Sequence, residues 1–175
     1  APMSVPVLKT GSELALAYDT GGNTLVAASQ KKGQVLQVAS QRPILDADIA
    51  ADDSLCYLSS ESGYRAVLYV YNSSQELIYR WLSSSQFFLR CTVSGGAKYA
   101  AAAALGQQDG MFESSVVLFK TDSAEIDRTI PIGNDLIYDL HFVSDDLLAV
   151  LCENDLYFYD LEGQKQGSYS FQSSY

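Results

Sequence analysis

The chain has 175 residues, 11 basic and 21 acidic side chains and a formal net charge of −10, with 47% hydrophobic and 18% charged residues. This is a folded composition, long enough for one domain or one repeat array with a sizeable core. The negative charge repels phosphate backbones, which argues against nucleic acid and anionic lipid as partners, and no apolar run approaches the roughly 18 residues of a membrane-spanning helix.

In chain order, short β-strand signals come in groups of four. The first unit has strands expected near 5–9, 13–19, 24–29 and 34–40, and the second near 44–50, 54–59, 65–72 and 75–82. The third places them near 86–93, 97–105, 114–120 and 125–130, and the fourth near 136–143, 147–152, 155–160 and 164–171. Turn chemistry separates first from second strands: Thr10-Gly11-Ser12, Ala51-Asp52-Asp53, Ser94-Gly95-Gly96 and Ser144-Asp145-Asp146. Glycine and aspartate are the residues that tight hairpins use. The run Leu68-Tyr69-Val70-Tyr71-Asn72 returns as Leu156-Tyr157-Phe158-Tyr159-Asp160, 88 residues later, or two periods of 44. A period of about 40–45 is that of a four-stranded propeller blade.

Several strands, such as Val67–Tyr71 and Leu147–Cys152, are apolar at nearly every position. A strand covered on both faces reads this way, and propeller blades are sandwiched between neighbours. The expected fold is therefore all-β, an array of four four-stranded antiparallel blades over 5–40, 44–82, 86–130 and 136–171, forming part of a larger propeller. The tract Tyr99–Leu105 has helical propensity, but its place in the repeat makes it the second strand of the third blade.

Chemistry-bearing residues are sparse. His141 is the single histidine, and strand alternation places it on the same face as Asp139. One reading makes it a general base oriented by that aspartate. With no G-x-S-x-G elbow and no second histidine, a structural role fits it better. Asp46 and Asp139 hold matching places on first strands, which line a propeller channel, with Asp48 close by. They could face a hard cation or stand solvated at the mouth, with the second favoured, so no metal is expected. Met111 and Phe112 sit in the longest predicted hairpin loop, 106–114, as a contact site or as a fold-back onto the next blade. Cys56, Cys91 and Cys152 lie in apolar runs without a C-x-x-C pair and read as buried free thiols. No phosphate-binding glycine motif occurs, so no cofactor is expected.

At these repeats the chain resembles propellers of the WD40, YVTN and quinoprotein-like group, without the Trp-Asp ending of a standard WD40 strand. More narrowly it resembles an uncharacterised propeller family of Gram-positive anaerobes. The resemblance is carried by ALAYDTGGNTLVAAS (15–29), PILDADIAADDSLCYLSSESGYRAVLYVYN (43–72), KYAAAAALGQQDGMFESSVVLF (98–119) and LIYDLHFVSDDLLAVLCENDLYFYD (136–160). It implies a membrane anchor preceding an extracytoplasmic or cell-surface propeller, and more blades than four. The expected role is a non-catalytic binding or scaffold module that recognises a protein, peptide or glycan through propeller loops. A propeller-type hydrolase or lyase with a channel site is the alternative. This segment inserts into no membrane, and two copies could complete a ring as a homodimer.

Overall fold

The computed structural model describes residues 2–108 and 110–171. Sixteen strands form four antiparallel sheets, each a simple meander of consecutive strands. Blade one holds β1 (Pro6–Thr10), β2 (Ala15–Asp19), β3 (Thr24–Ser29) and β4 (Gly33–Ala39). Blade two holds β5 (Asp46–Ile49), β6 (Leu55–Glu61), β7 (Tyr64–Tyr71) and β8 (Leu77–Ser83). Blade three holds β9 (Phe87–Val93), β10 (Tyr99–Gln108), β11 (Met111–Lys120) and β12 (Ile126–Gly133). Blade four holds β13 (Ile137–Ser144), β14 (Leu147–Cys152), β15 (Asp155–Asp160) and β16 (Lys165–Ser170). The fold is all-β and propeller-type, with the four blades set about a common axis.

The two strands in the middle of each blade explain why the sheets stack. Cross-strand partners project to the same side, so alternation gives every sheet two faces. Leu16, Tyr18, Leu25 and Ala27 of blade one pack against Ala47, Ile49, Leu55 and Tyr57 of blade two. The other face of blade two, with Leu58, Leu68, Val70 and Tyr79, packs against Phe88, Ala100, Ala102, Val117 and Phe119 of blade three. Ala101, Ala103, Val116 and Leu118 then face Leu140, Phe142, Leu148 and Val150 of blade four. Three interblade cores result. Among the described residues no such core joins blade four to blade one.

The alanine tract is strand. Ala100, Ala102 and Ala104 turn to blade two and Ala101 and Ala103 to blade four, all buried, so burial on both faces overrides helical propensity. The only helical element among the described residues is one 3-10 turn, Gly95–Ala97. The three cysteines are buried free thiols; burial raises all of them, Cys152 to about 12, which keeps them protonated and unreactive.

The hairpin turns also lock blade to blade. Asp53, in the left-handed region at φ 70°, accepts hydrogen bonds from the Ser12 hydroxyl (2.9 Å), Glu13 N (3.1 Å) and Leu14 N (3.0 Å) of blade one. Its neighbour Asp52 accepts from Gly96 N of blade three at 2.7 Å. Gly11 is required here, because a Cβ on it would sit 2.3 Å from Asp53 Oδ1 and 2.8 Å from the Ala50 carbonyl oxygen.

Burial alone would raise the Asp53 carboxyl pKa, but the Leu14 and Glu13 N–H groups and Ser12 outweigh it and hold it below its usual value. A depressed folded pKa contributes stability above the unfolded value of about 3.9, and that stability is lost as pH falls through the folded pKa. Asp53→Asn is therefore expected to cost about 1–2 kcal/mol at pH 7. Urea unfolding should show the gap to the unmodified chain closing as the pH is lowered past that window. A gap that stays constant with pH would remove the carboxylate from the account.

Candidate functional site

Strand direction divides the functional surface into two ends. First–second and third–fourth turns lie at one end of the array. Second–third turns and the interblade connectors lie at the other.

The first end opens as a cavity of about 410 Å³ whose lining comes from all four blades, including Ser12, Ala50, Val93, His141, Ser144 and Asp145. His141 is exposed there. It shares a sheet face with Asp139, which is also exposed, but the two are not hydrogen-bonded; Asp139 accepts instead from the N–H of Leu140 at 2.9 Å. The proposed acid–base pair is thus side by side without the contact that would orient the imidazole.

Asp46 is placed differently from the open channel position expected for it. It is buried, with Oδ1 accepting from the Tyr18 hydroxyl at 2.8 Å and Oδ2 from Cys91 N at 2.9 Å. Burial raises its pKa in spite of the nearby Lys9 ammonium. Asp48, read with Asp46 as a channel-strand carboxylate, is buried as well. Its Oδ1 takes Lys9 Nζ at 3.1 Å and its Oδ2 takes the Thr92 hydroxyl at 2.7 Å. Burial would lower Lys9, but Asp48 and then Asp46 outweigh it and raise it above its ordinary value. Blades one, two and three are therefore stitched by a polar network whose carboxylate oxygens are occupied. No cluster of three or more metal-ligating side chains occurs among the described residues.

The second end carries the most exposed apolar groups. The expected loop 106–114 is strand over most of its length: Gly106↔Glu113, Gln107↔Phe112 and Gln108↔Met111 continue the β10–β11 ladder. β9 pairs with β10 only as far as Leu105, and β12 with β11 only as far as Ser114. A two-stranded ribbon therefore stands beyond the four-stranded sheet. Gly110, at φ 82°, supplies a positive φ just before β11 begins, which glycine adopts without strain. Met111 and Phe112 are 60% and 71% exposed at its tip, so they do not fold back onto the next blade. Tyr64 and Phe87, also exposed, start strands at this same end, and the Arg65 guanidinium lies 4.8 Å over the Phe87 ring.

The same end holds a cavity of about 510 Å³ between blades one and two, lined among others by Ser40, Arg42, Tyr57, Glu61 and Tyr69. The Tyr57 and Tyr69 rings stack at 4.4 Å, and Glu61 accepts from the Tyr69 hydroxyl and from Arg80. Tyr57 is buried, whereas Tyr69 borders this opening. Only the pairing of a blade-two hairpin end with the connector after β4 could have located it.

Comparison with solved structures finds propellers. The Hsv2 variant KlHsv2 with loop 6CD replaced by a Gly-Ser linker matches with TM-score 0.69 and 14% identity, over 99% of this chain and 56% of that one. A functionally unknown protein of Desulfotomaculum acetoxidans matches with TM-score 0.65 and 12% identity, over 98% and 57%. The WD40 domain of Neurospora crassa Pan2 matches with TM-score 0.59 and 13% identity, over 97% and 50%. The chain thus spans about half the length of the structures it matches. No curated protein matches it. A protein-family model described as a family of unknown function, DUF5711, matches residues 1–172, a span that takes in all four blades, and the chain belongs to this family.

Proposed function

We propose that the chain is a non-catalytic binding or scaffold module whose contact surface is the end that carries the 106–113 ribbon, and that it recognises a protein, peptide or glycan there. The observation that carries this reading is the ribbon itself. It extends past its own blade, leaves its backbone edges unpaired and holds Met111 and Phe112 in solvent. Aromatic and methionine side chains held out on a rigid sheet give large contact area with few rotors to freeze. WD40-like neighbours fit such a module. The alternative, a hydrolase or lyase with a channel site, would place its chemistry at the opposite mouth, where His141 lines the cavity.

The proposed location is extracytoplasmic or at the cell surface, supported by resemblance to anchored propellers whose motifs recur at 15–29, 43–72, 98–119 and 136–160. The homodimer expected from the sequence concerns a different surface, the open faces of blades one and four.

The test is a Met111→Ser, Phe112→Ser double variant probed on extended-peptide and glycan arrays beside the unmodified chain. Both substitutions are at exposed positions, so thermal unfolding should move by little, while binding of any probe captured by the unmodified chain should fall tenfold or more. Undiminished capture by the double variant would remove the ribbon from the contact surface.

A further inference from the structure

One edge of the ribbon begins beside an unneutralised charge. On that edge β9 stops pairing at Phe87↔Leu105, so Gly106, Gln107 and Gln108 have no strand beside them. The vacant lane prolongs the line of β9 and is about 10 Å long at the rise of a strand. Blades stacked before β1 or after β16 would add to the outer faces of blades one and four. The lane therefore belongs to blade three itself, which has a blade of this chain on either side.

Where the lane starts, the Arg65 guanidinium of blade two lies 4.8 Å over the Phe87 ring and donates to the Ser85 carbonyl oxygen at 3.4 Å. Those contacts hold the cation in place without neutralising it. Arg65 is exposed and takes part in none of the ion pairs among the described residues. Register assigns the faces of the lane. Ala104 turns to blade two, so Gly106 turns the same way, and Leu105 and Gln107 take the other face. Phe112, the cross-strand partner of Gln107, is on that second face and 71% exposed. On the blade-two face a hollow of about 300 Å³, lined among others by Gln86, Ala104, Gly106, Glu113 and Ser115, leaves room for a side chain.

We infer that an extended peptide of a partner protein fills the lane as an antiparallel strand, with an acidic side chain opposite Gly106 and an apolar one opposite Gln107. The inference rests on the reading of the ribbon as the contact surface and names what that surface takes. Strand addition to a free edge draws affinity from backbone hydrogen bonds and selectivity from alternate side chains. The residue opposite Gly106 faces blade two, the side from which Arg65 reaches, and a carboxylate there makes a charge-assisted pair. The residue opposite Gln107 shares a face with Leu105 and Phe112. A strand running in the direction of β9 meets Gln107 before Gly106, so the acidic residue directly follows the apolar one. On a chain of net charge −10, a fixed cation without an acidic partner is complementary to such a peptide. Glu113 stands in the same row beyond Gly106, but β10 separates it from the lane by about 10 Å at strand spacing. Were Glu113 to govern, the position would select a cation, so the sign of the selection decides between them.

The experiment pans a randomised library of acetylated, amidated hexapeptides against three samples: the unmodified chain, Arg65→Glu, and the Met111→Ser, Phe112→Ser double variant. The unmodified chain is expected to enrich Asp or Glu directly after an apolar residue. Arg65→Glu, at an exposed position and expected to be folded by circular dichroism, should enrich Lys or Arg there instead. For a peptide selected by the unmodified chain, Arg65→Ala should weaken binding about tenfold. N-methylation of alternate peptide residues should abolish binding in one phase and spare it in the other, because neighbouring residues of a strand point their N–H groups to opposite sides. No enrichment, a cation enriched by the unmodified chain, or a selection that Arg65→Glu leaves unchanged would each overturn the inference. So would an unmodified chain at twice its 19.1 kDa mass with the 106–108 amides already protected from exchange, which would give the lane to a second copy. A selection untouched by Arg65→Glu but lost in the double variant defeats the lane and leaves the ribbon as contact surface. Equal capture by all three samples defeats both.

Discussion

Phe119→Ala is expected to lower the unfolding free energy by about 3–5 kcal/mol, the usual cost of emptying an aromatic site in a core. Phe119 is fully buried where blade three meets blade two, and its ring lies 4.9 Å from Trp81, 6.0 Å from Phe88 and 6.3 Å from Tyr79. Trp81 also stacks on Phe88 at 5.6 Å, so removing Phe119 takes one wall from a four-ring cluster. Sheet backbones cannot close that gap without pulling the adjacent cores, because blades two and three are each gripped on two faces. The expected loss corresponds to a fall in Tm of roughly 10 °C for a chain of this size. Trp81 is the single tryptophan, so its fluorescence in urea reports on this junction, and circular dichroism reports on the sheets as a whole. A loss below about 1 kcal/mol would mean that the interblade core does not hold the array together. Separate fluorescence and dichroism midpoints would show that the array no longer unfolds as one unit.

The blade rhythm is legible in the sequence because each signal is local. The strand Val67–Tyr71, apolar at every position, announces coverage on both faces, Leu147–Cys152 carries the same pattern with one face covered by blade three, and the turns between strands use glycine or aspartate. Even the alanine tract follows from its place in the period, although its propensity points to helix. The ribbon is not legible in this way. It has no face on a core, so no alternation marks 106–113 as strand, and its polar composition reads as loop. The axial network is hidden for a different reason. Asp46 and Asp48 look like ligands on a channel strand, but their partners Lys9, Tyr18, Cys91 and Thr92 come from other blades, 28 to 45 positions away. Nothing in local pattern says that two aspartates will be answered by residues that distant. The cavity with Arg42, Glu61 and Tyr69 is likewise made only when blades one and two meet.

That network gives the second large effect. Asp48→Ala is expected to cost about 3 kcal/mol, since it strips a partner from a largely buried ion pair and from a buried hydroxyl at once. The Asp48 side chain is 6% exposed and that of Lys9 25%, so water can reach the ammonium in part, and Asp46 lies near enough to share its field. Both conditions keep the cost at the lower end for a broken buried pair. Thr92 is left with no acceptor for its hydroxyl, which was given to Asp48 at 2.7 Å. The ordinary account of such pairs says that the penalty comes from the orphaned partners more than from the lost attraction. Removing all three polar groups, as Lys9→Met, Asp48→Leu and Thr92→Val together, should therefore recover most of the stability that Asp48→Ala loses. Urea unfolding of the single and the triple variants decides it. If the triple variant is no more stable than Asp48→Ala, the net attraction of the network itself binds blades one, two and three. The channel carboxylates would then be structural through their charge and not merely satisfied in it.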